Sequence, residues 1–159
     1  MQELDLKIIN GTIANATETF YSDIGIKDGL IVSIGKNIGE AKRVIDAAGK
    51  FVLPGGIEAH CHIEQESSGG IMTSDDYYSG SVSAAFGGNT CFIPFAAQHR
   101  GQKLHDVLEL YHSRAKPKSV IDYSFHLIIS DPSDEVINQE LPNVIERGIT
   151  SFKIYMTYD

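Results

Sequence analysis

From Gly55 onward the chain alternates strand-like and helix-like runs, and that alternation restricts its fold more than any other feature. The apolar run around Ile57 gives way to SDDYYSGSVSAAFGG, in which Ser74 suits a helix N-cap, Asp75 and Asp76 suit the first turn, and Gly87-Gly88 suits the end. TCFIPFA then reads as a buried strand. QKLHDVLELYHSRAK follows, with Leu104, Val107, Leu108 and Tyr111 at helical spacing and Pro117 as a stop. VIDYSFHLII is a third strand, SDPSDEVINQELPNVIERG a second long helical stretch interrupted at Pro142, and TSFKIYM a fourth strand. Strands joined through helices in this rhythm imply βα units on a parallel sheet.

Before residue 54 the pattern differs. Short strands (DLKII, IGI, LIVSIG, VIDA, FVLP) are separated by Asn10-Gly11, Asp28-Gly29 and Ala48-Gly49-Lys50. Asn-Gly and Asp-Gly suit tight hairpins because both residues tolerate positive φ. The expected organisation is a β-structured segment over 1–53 and an α/β segment over 54–159, together long enough to bury a sizeable core.

Charge narrows the function classes. Thirteen Lys and Arg stand against 21 Asp and Glu, a formal charge of −8, which repels phosphate backbones and anionic membranes. Acidic residues interrupt every apolar run of the first thirty positions, so neither a signal peptide nor a membrane span is expected. A soluble cytoplasmic protein with no nucleic-acid or membrane partner follows. Cys61 and Cys91 are too few for a disulfide framework and read as reduced thiols.

The chemistry concentrates in FVLPGGIEAHCHIEQ, residues 51–65. In an extended strand, residues two apart point the same way, which puts Glu58, His60 and His62 on one face and Ala59 and Cys61 on the other. Ligands of parallel βα sheets sit at the carboxyl ends of strands, where this pair lies. Two neutral imidazoles there can share a divalent ion and leave positions open for other ligands and water. Spacing alone also admits two histidines that simply hydrogen-bond loop backbone. Lys153, at the end of the fourth strand, reads on its own as a lysine reaching solvent. His126 reads as a satisfied interior residue, His105 and His112 as surface residues, and His99 as a rim-loop residue. Residues 65–72 (QESSGGIM) form the loop after the first strand.

LPGGIEAHCHIE, TSDDYYSGSVSAAFGGNT and SFKIYMTYD together resemble the dihydropyrimidinase and hydantoinase family of cyclic amidohydrolases over nearly the whole chain. The resemblance implies an α/β protein: the first half of a (β/α)8 TIM barrel preceded by part of an N-terminal β-sandwich. It implies two Zn2+ ions bridged by a carboxylated lysine and a hydroxide. His60 and His62 match the pair on the more buried metal, Lys153 matches the bridging lysine, and Tyr158 matches the tyrosine that hydrogen-bonds the substrate carbonyl. The implied reaction opens dihydropyrimidines or 5-substituted hydantoins, as in pyrimidine catabolism, within a homo-oligomer, commonly a tetramer. An allantoinase or a non-catalytic scaffold relative are the alternatives. Dihydroorotase is disfavoured, because Ile63-Glu64-Gln65 follows the histidines where an arginine would be expected.

Electrostatics agree with the lysine's implied role. Beside two dications an ammonium is repelled and desolvated, so the neutral amine is favoured, can add CO2, and becomes an anionic bridge. A closed barrel needs roughly 250 residues, and the family's later histidines and late aspartate have no counterpart within these 159. The chain is therefore expected to be a fragment, a truncated product or half of a split protein, inactive or nearly so by itself.

Overall fold

The computed structural model describes residues 3–67 and 69–156. The chain divides into two compact units, Met1–Pro54 and Gly55–Asp159.

The first unit is a five-stranded sheet of β1 (Leu4–Ala14), β2 (Thr19–Lys27), β3 (Leu30–Gly35), β4 (Ala41–Asp46) and β5 (Phe51–Val52). The long β1 pairs antiparallel with β2 and parallel with both β4 and β5. Asp28-Gly29, at φ 50° and 75°, makes the tight turn between β2 and β3, as its sequence predicts. Asn10-Gly11 does not turn the chain. β1 runs through it, with a register shift between Ile8 and Gly11 that marks a bulge, Asn10 standing at φ 61°. The Asn10 N–H, displaced from the ladder, donates to Asp23 Oδ1 at 3.1 Å, and that bond is the main reason the Asp23 carboxyl is held below its ordinary range. The β1–β2 turn lies at Asn15, whose Oδ1 accepts from the Thr17 and Glu18 N–H groups at 2.9 and 3.0 Å.

The second unit is mixed α/β. Its sheet contains β6 (Gly56–Cys61), β7 (Asn89–Ala97), β8 (Asp122–Tyr123), β9 (His126–Ile128) and β10 (Phe152–Lys153). The order is β10-β9-β7-β6 with β8 against β7, and every pairing is parallel. The expected third strand is broken in two between Tyr123 and His126, and Phe125 in the gap is buried in the core.

Among the described residues the strands are connected through the α-helices α1 (Tyr77–Phe86), α2 (Leu104–Ala115) and α3 (Leu141–Glu146). α1 is capped by Asp76, not Ser74: Asp76 Oδ1 accepts from the Tyr78 and Ser79 N–H groups at 3.0 and 2.9 Å, and Ser74 lies two residues too early to reach them. α2 buries Leu104, Val107, Leu108, Tyr111 and Ala115, one apolar stripe at helical spacing, among Tyr77, Phe92, Phe125 and Leu127. Each such large side chain stabilises the unit by about 1.5–3 kcal/mol. Pro142 does not interrupt a helix: a π-helical turn over Val136–Glu140 passes into α3, and the proline sits in α3's first turn, where its missing N–H costs little. No helix among the described residues is long and apolar enough to cross a membrane.

Candidate metal centre

His60 and His62 reach one another through an irregular strand. Glu58 pairs with Phe92 and Cys61 with Pro94, so two residues of β6 oppose one of β7 and the ladder bulges at Ala59–His60. Strict alternation from Glu58 to His62 is thereby broken. The Glu58 carboxylate accepts from the His60 N–H at 2.9 Å, occupying a donor at the bulge. Beyond it the two imidazoles are neighbours, with ring centroids 5.6 Å apart.

Phe95 of β7 lies beneath both, at 4.8 Å from the His60 ring and 5.0 Å from the His62 ring, stacked on the latter at 21°. Lys153, the last residue of β10, places its Nζ 4.3 Å from the centre of the same Phe95 ring and 5.2 Å from that of Tyr155. Three side chains from the carboxyl ends of two strands thus converge on one aromatic floor. An open cleft of about 550 Å³ adjoins them, lined in part by His60, Phe95, His126 and Lys153. Tyr158 lies outside the described residues.

Hydrogen bonds separate the histidines into two kinds. His62 Nδ1 lies 2.7 Å from Gln65 Oε1; the amide oxygen can only accept, so Nδ1 carries the proton and Nε2 is left with a free lone pair. His126 is committed at both nitrogens. Its Nε2 donates to the Ala59 carbonyl at 2.9 Å and its Nδ1 accepts from the Ser151 hydroxyl, so it ties β9 to β6 and to the residue that precedes β10, and has no lone pair to offer. His105, exposed, contacts Arg147, and His99 is an exposed loop residue. His112 departs from the surface expectation: it is half-buried against Tyr123 and Phe125, because the α2 turn carrying it packs on those rings.

Cys61 lies between the two imidazoles in sequence but packs against the core, and burial pushes its thiol up to about 11, with the Glu58 charge adding to the effect. It is a neutral thiol at pH 7 and a poor metal ligand. No group of three or more His, Cys, Asp or Glu side chains forms a metal cluster among the described residues. The donors at hand are two imidazoles and one amine, which fit part of a divalent-metal coordination shell and require the remainder from elsewhere. Gln65 and Phe95 carried no signal in the sequence, one being a loop residue and the other an apolar strand residue.

The chain is similar to known hydantoinases over nearly its whole length. D-hydantoinase from Geobacillus stearothermophilus is 48% identical over 153 residues, covering 95% of this chain and 32% of that protein. A solved D-hydantoinase structure superposes with a TM-score of 0.92 at 44% identity, over 98% of this chain and 34% of the other. The chain is homologous to the D-hydantoinases and dihydropyrimidinases. The crystal structure of dihydropyrimidinase from Brevibacillus agri NCHU1002 gives a TM-score of 0.90 at 41% identity, over 96% and 33%. No family model matches. This hydantoinase-like chain spans about a third of the length of the relatives it matches.

Proposed function

We propose that the protein carrying this chain hydrolyses the cyclic amide bond of dihydropyrimidines or 5-substituted hydantoins with the help of two zinc ions, and that it has a completed (β/α)8 barrel and a β-sandwich domain. One observation carries the reading. His60, His62 and Lys153 stand together over Phe95 at the carboxyl edge of a parallel sheet, in a chain homologous to hydantoinases.

His62 holds metal through the Nε2 that its bond to Gln65 leaves free, and His60 supplies the second imidazole. Lys153 would act as a carbamate: its neutral amine adds CO2 and releases a proton, and the carboxylate formed shares one negative charge over two oxygens that could hold metal. Zinc so held supplies Lewis-acid polarisation of the scissile carbonyl and an acidified water. The Tyr158 hydroxyl donates to the carbonyl oxygen as negative charge builds there. In the balanced reaction the ring C–N bond breaks, the carbonyl carbon gains the water oxygen, and the ring nitrogen gains a proton. Phe95 walls the floor with an apolar ring, which excludes water from beneath the ligands.

The test is an assay of the protein as its gene encodes it, supplied with zinc and bicarbonate, against dihydrouracil and 5-substituted hydantoins. Ring opening abolished by a chelator and restored by zinc is expected. Hydrolysis indifferent to chelator, or no hydrolysis of either ring, would contradict the proposal.

A further inference from the structure

The geometry points to Gln65 as a positioning residue for His62, an inference that rests on the proposed metal role of that histidine. A histidine can present only one lone pair, and which nitrogen presents it depends on what the other touches. Here the other nitrogen, Nδ1, is 2.7 Å from Gln65 Oε1. That contact holds both the tautomer and the rotation of a ring that otherwise lies exposed on Phe95.

The acceptor is itself held firmly. Glu64, next to it, adopts φ 45°, a left-handed conformation uncommon for a residue with a side chain, and the surroundings over-determine it. The Glu64 N–H donates to the Asp75 carbonyl at 2.9 Å, and its own carbonyl accepts from Arg114 Nη1 at 3.0 Å. Both carboxylate oxygens accept from Lys118 Nζ, at 3.0 and 2.9 Å, and one also accepts from the Tyr77 N–H at 3.3 Å. Gln65 is then fastened to Thr73 in both directions, its N–H donating to Thr73 Oγ1 and its carbonyl accepting from the Thr73 N–H, each at 3.0 Å. The backbone of Gln65 is therefore fixed without its side chain, which leaves the amide available to hold His62. The two loop residues that follow β6 by three and four positions are thus fixed by Thr73 and Asp75 ahead of α1, by Tyr77 and Arg114 on the helices, and by Lys118 just past α2.

Zinc affinity measured by competition with a chromophoric chelator tests the assignment, using the protein as encoded and its Gln65→Leu and Gln65→Glu variants. Leucine removes the acceptor and glutamate keeps one. Gln65→Leu should bind zinc at least tenfold more weakly, Gln65→Glu should bind within a few-fold of the parent, and all three should share one melting temperature in excess chelator. Equal zinc affinity in Gln65→Leu and the parent would overturn the inference while leaving the metal site intact. So would a raised KM with unchanged zinc affinity, which would make Gln65 a substrate contact. Equal weakening in both variants would also overturn it, since loss of the acceptor would no longer be the cause. A parent protein that binds no zinc would instead defeat the functional reading itself. Gln65→Asn, whose oxygen falls short of Nδ1, should behave as Gln65→Leu and serves if the leucine variant does not fold.

Discussion

Gln98, at the residue after β7, is 2% exposed and joins three loop segments at the rim of the sheet. Its Oε1 accepts from the Ser130 and Asp131 N–H groups at 2.9 and 3.0 Å, and its Nε2 donates to the Gln102 carbonyl at 2.8 Å. Asp131 extends the same junction by accepting from the Gly101 N–H at 2.9 Å. Gln98→Met keeps the side-chain volume and removes all three bonds. A hydrogen bond contributes about 0.5–1.5 kcal/mol net, and an orphaned buried group costs more. Ser130 and Asp131 are only half-buried, so water can replace part of what they lose. The expected loss is about 2 kcal/mol, which corresponds to roughly 4–8 °C in melting temperature for a chain of this size. Urea unfolding should show a lower midpoint with an unchanged slope, and amide exchange should accelerate first at residues 130–131. A midpoint equal to the parent's would refute the reasoning, because it would mean that the junction is held by backbone packing alone.

The remaining predictions concern titration and close packing. His112 is pushed below its ordinary 6.5 first by burial, against the partial opposition of Glu109. The unfolded chain then binds the proton more readily, so this contribution is fully present above pH 6.5 and is lost as pH falls through the folded value. Melting temperature should drop more steeply between pH 7.5 and 5 than in His112→Phe, and identical slopes would contradict the assignment. Cys61, with its thiol near 11, should resist iodoacetamide at pH 7.5 in the native state and react only as the solution becomes strongly alkaline; rapid neutral alkylation would show it exposed. A Cβ at Gly55 would meet Thr90 Cγ2 and Oγ1 at 2.2 Å, so Gly55→Ala should cost about 1–3 kcal/mol in urea unfolding. Gly35→Ala, facing only Ile38 at an ordinary 3.7 Å, serves as its near-neutral counterpart.

The sequence carried the parts of this fold that depend on local pattern. The α2 stripe, the Asp28-Gly29 turn and the βα alternation all follow from spacing and φ preference among near neighbours. Asn10-Gly11 offered the same turn signal as Asp28-Gly29 and became a bulge, because Asp23 and Asp46 on neighbouring strands and the Tyr21 hydroxyl engage Asn10. No local window contains those partners. The choice of Asp76 over Ser74 as the α1 cap has a similar source, since Asp76 is also paired with Lys118, more than forty positions downstream. At the site, the histidine pair was legible because its chemistry lies two residues apart. The bulge that seats His60, the Phe95 floor and the Gln65 contact were not, because each depends on strand register or on a loop held by distant helices.

The central claim, that His60, His62 and a carboxylated Lys153 hold paired zinc ions, is tested most directly by metal analysis coupled to intact mass. The protein as encoded, prepared with zinc and bicarbonate, and its Lys153→Arg variant are the two samples to compare. Two zinc ions per chain and a CO2 adduct on Lys153 in the parent are predicted, with both lost in the variant, because a guanidinium keeps the charge and cannot form the carbamate. Two zinc ions retained by Lys153→Arg, or a parent that holds none, would contradict the account.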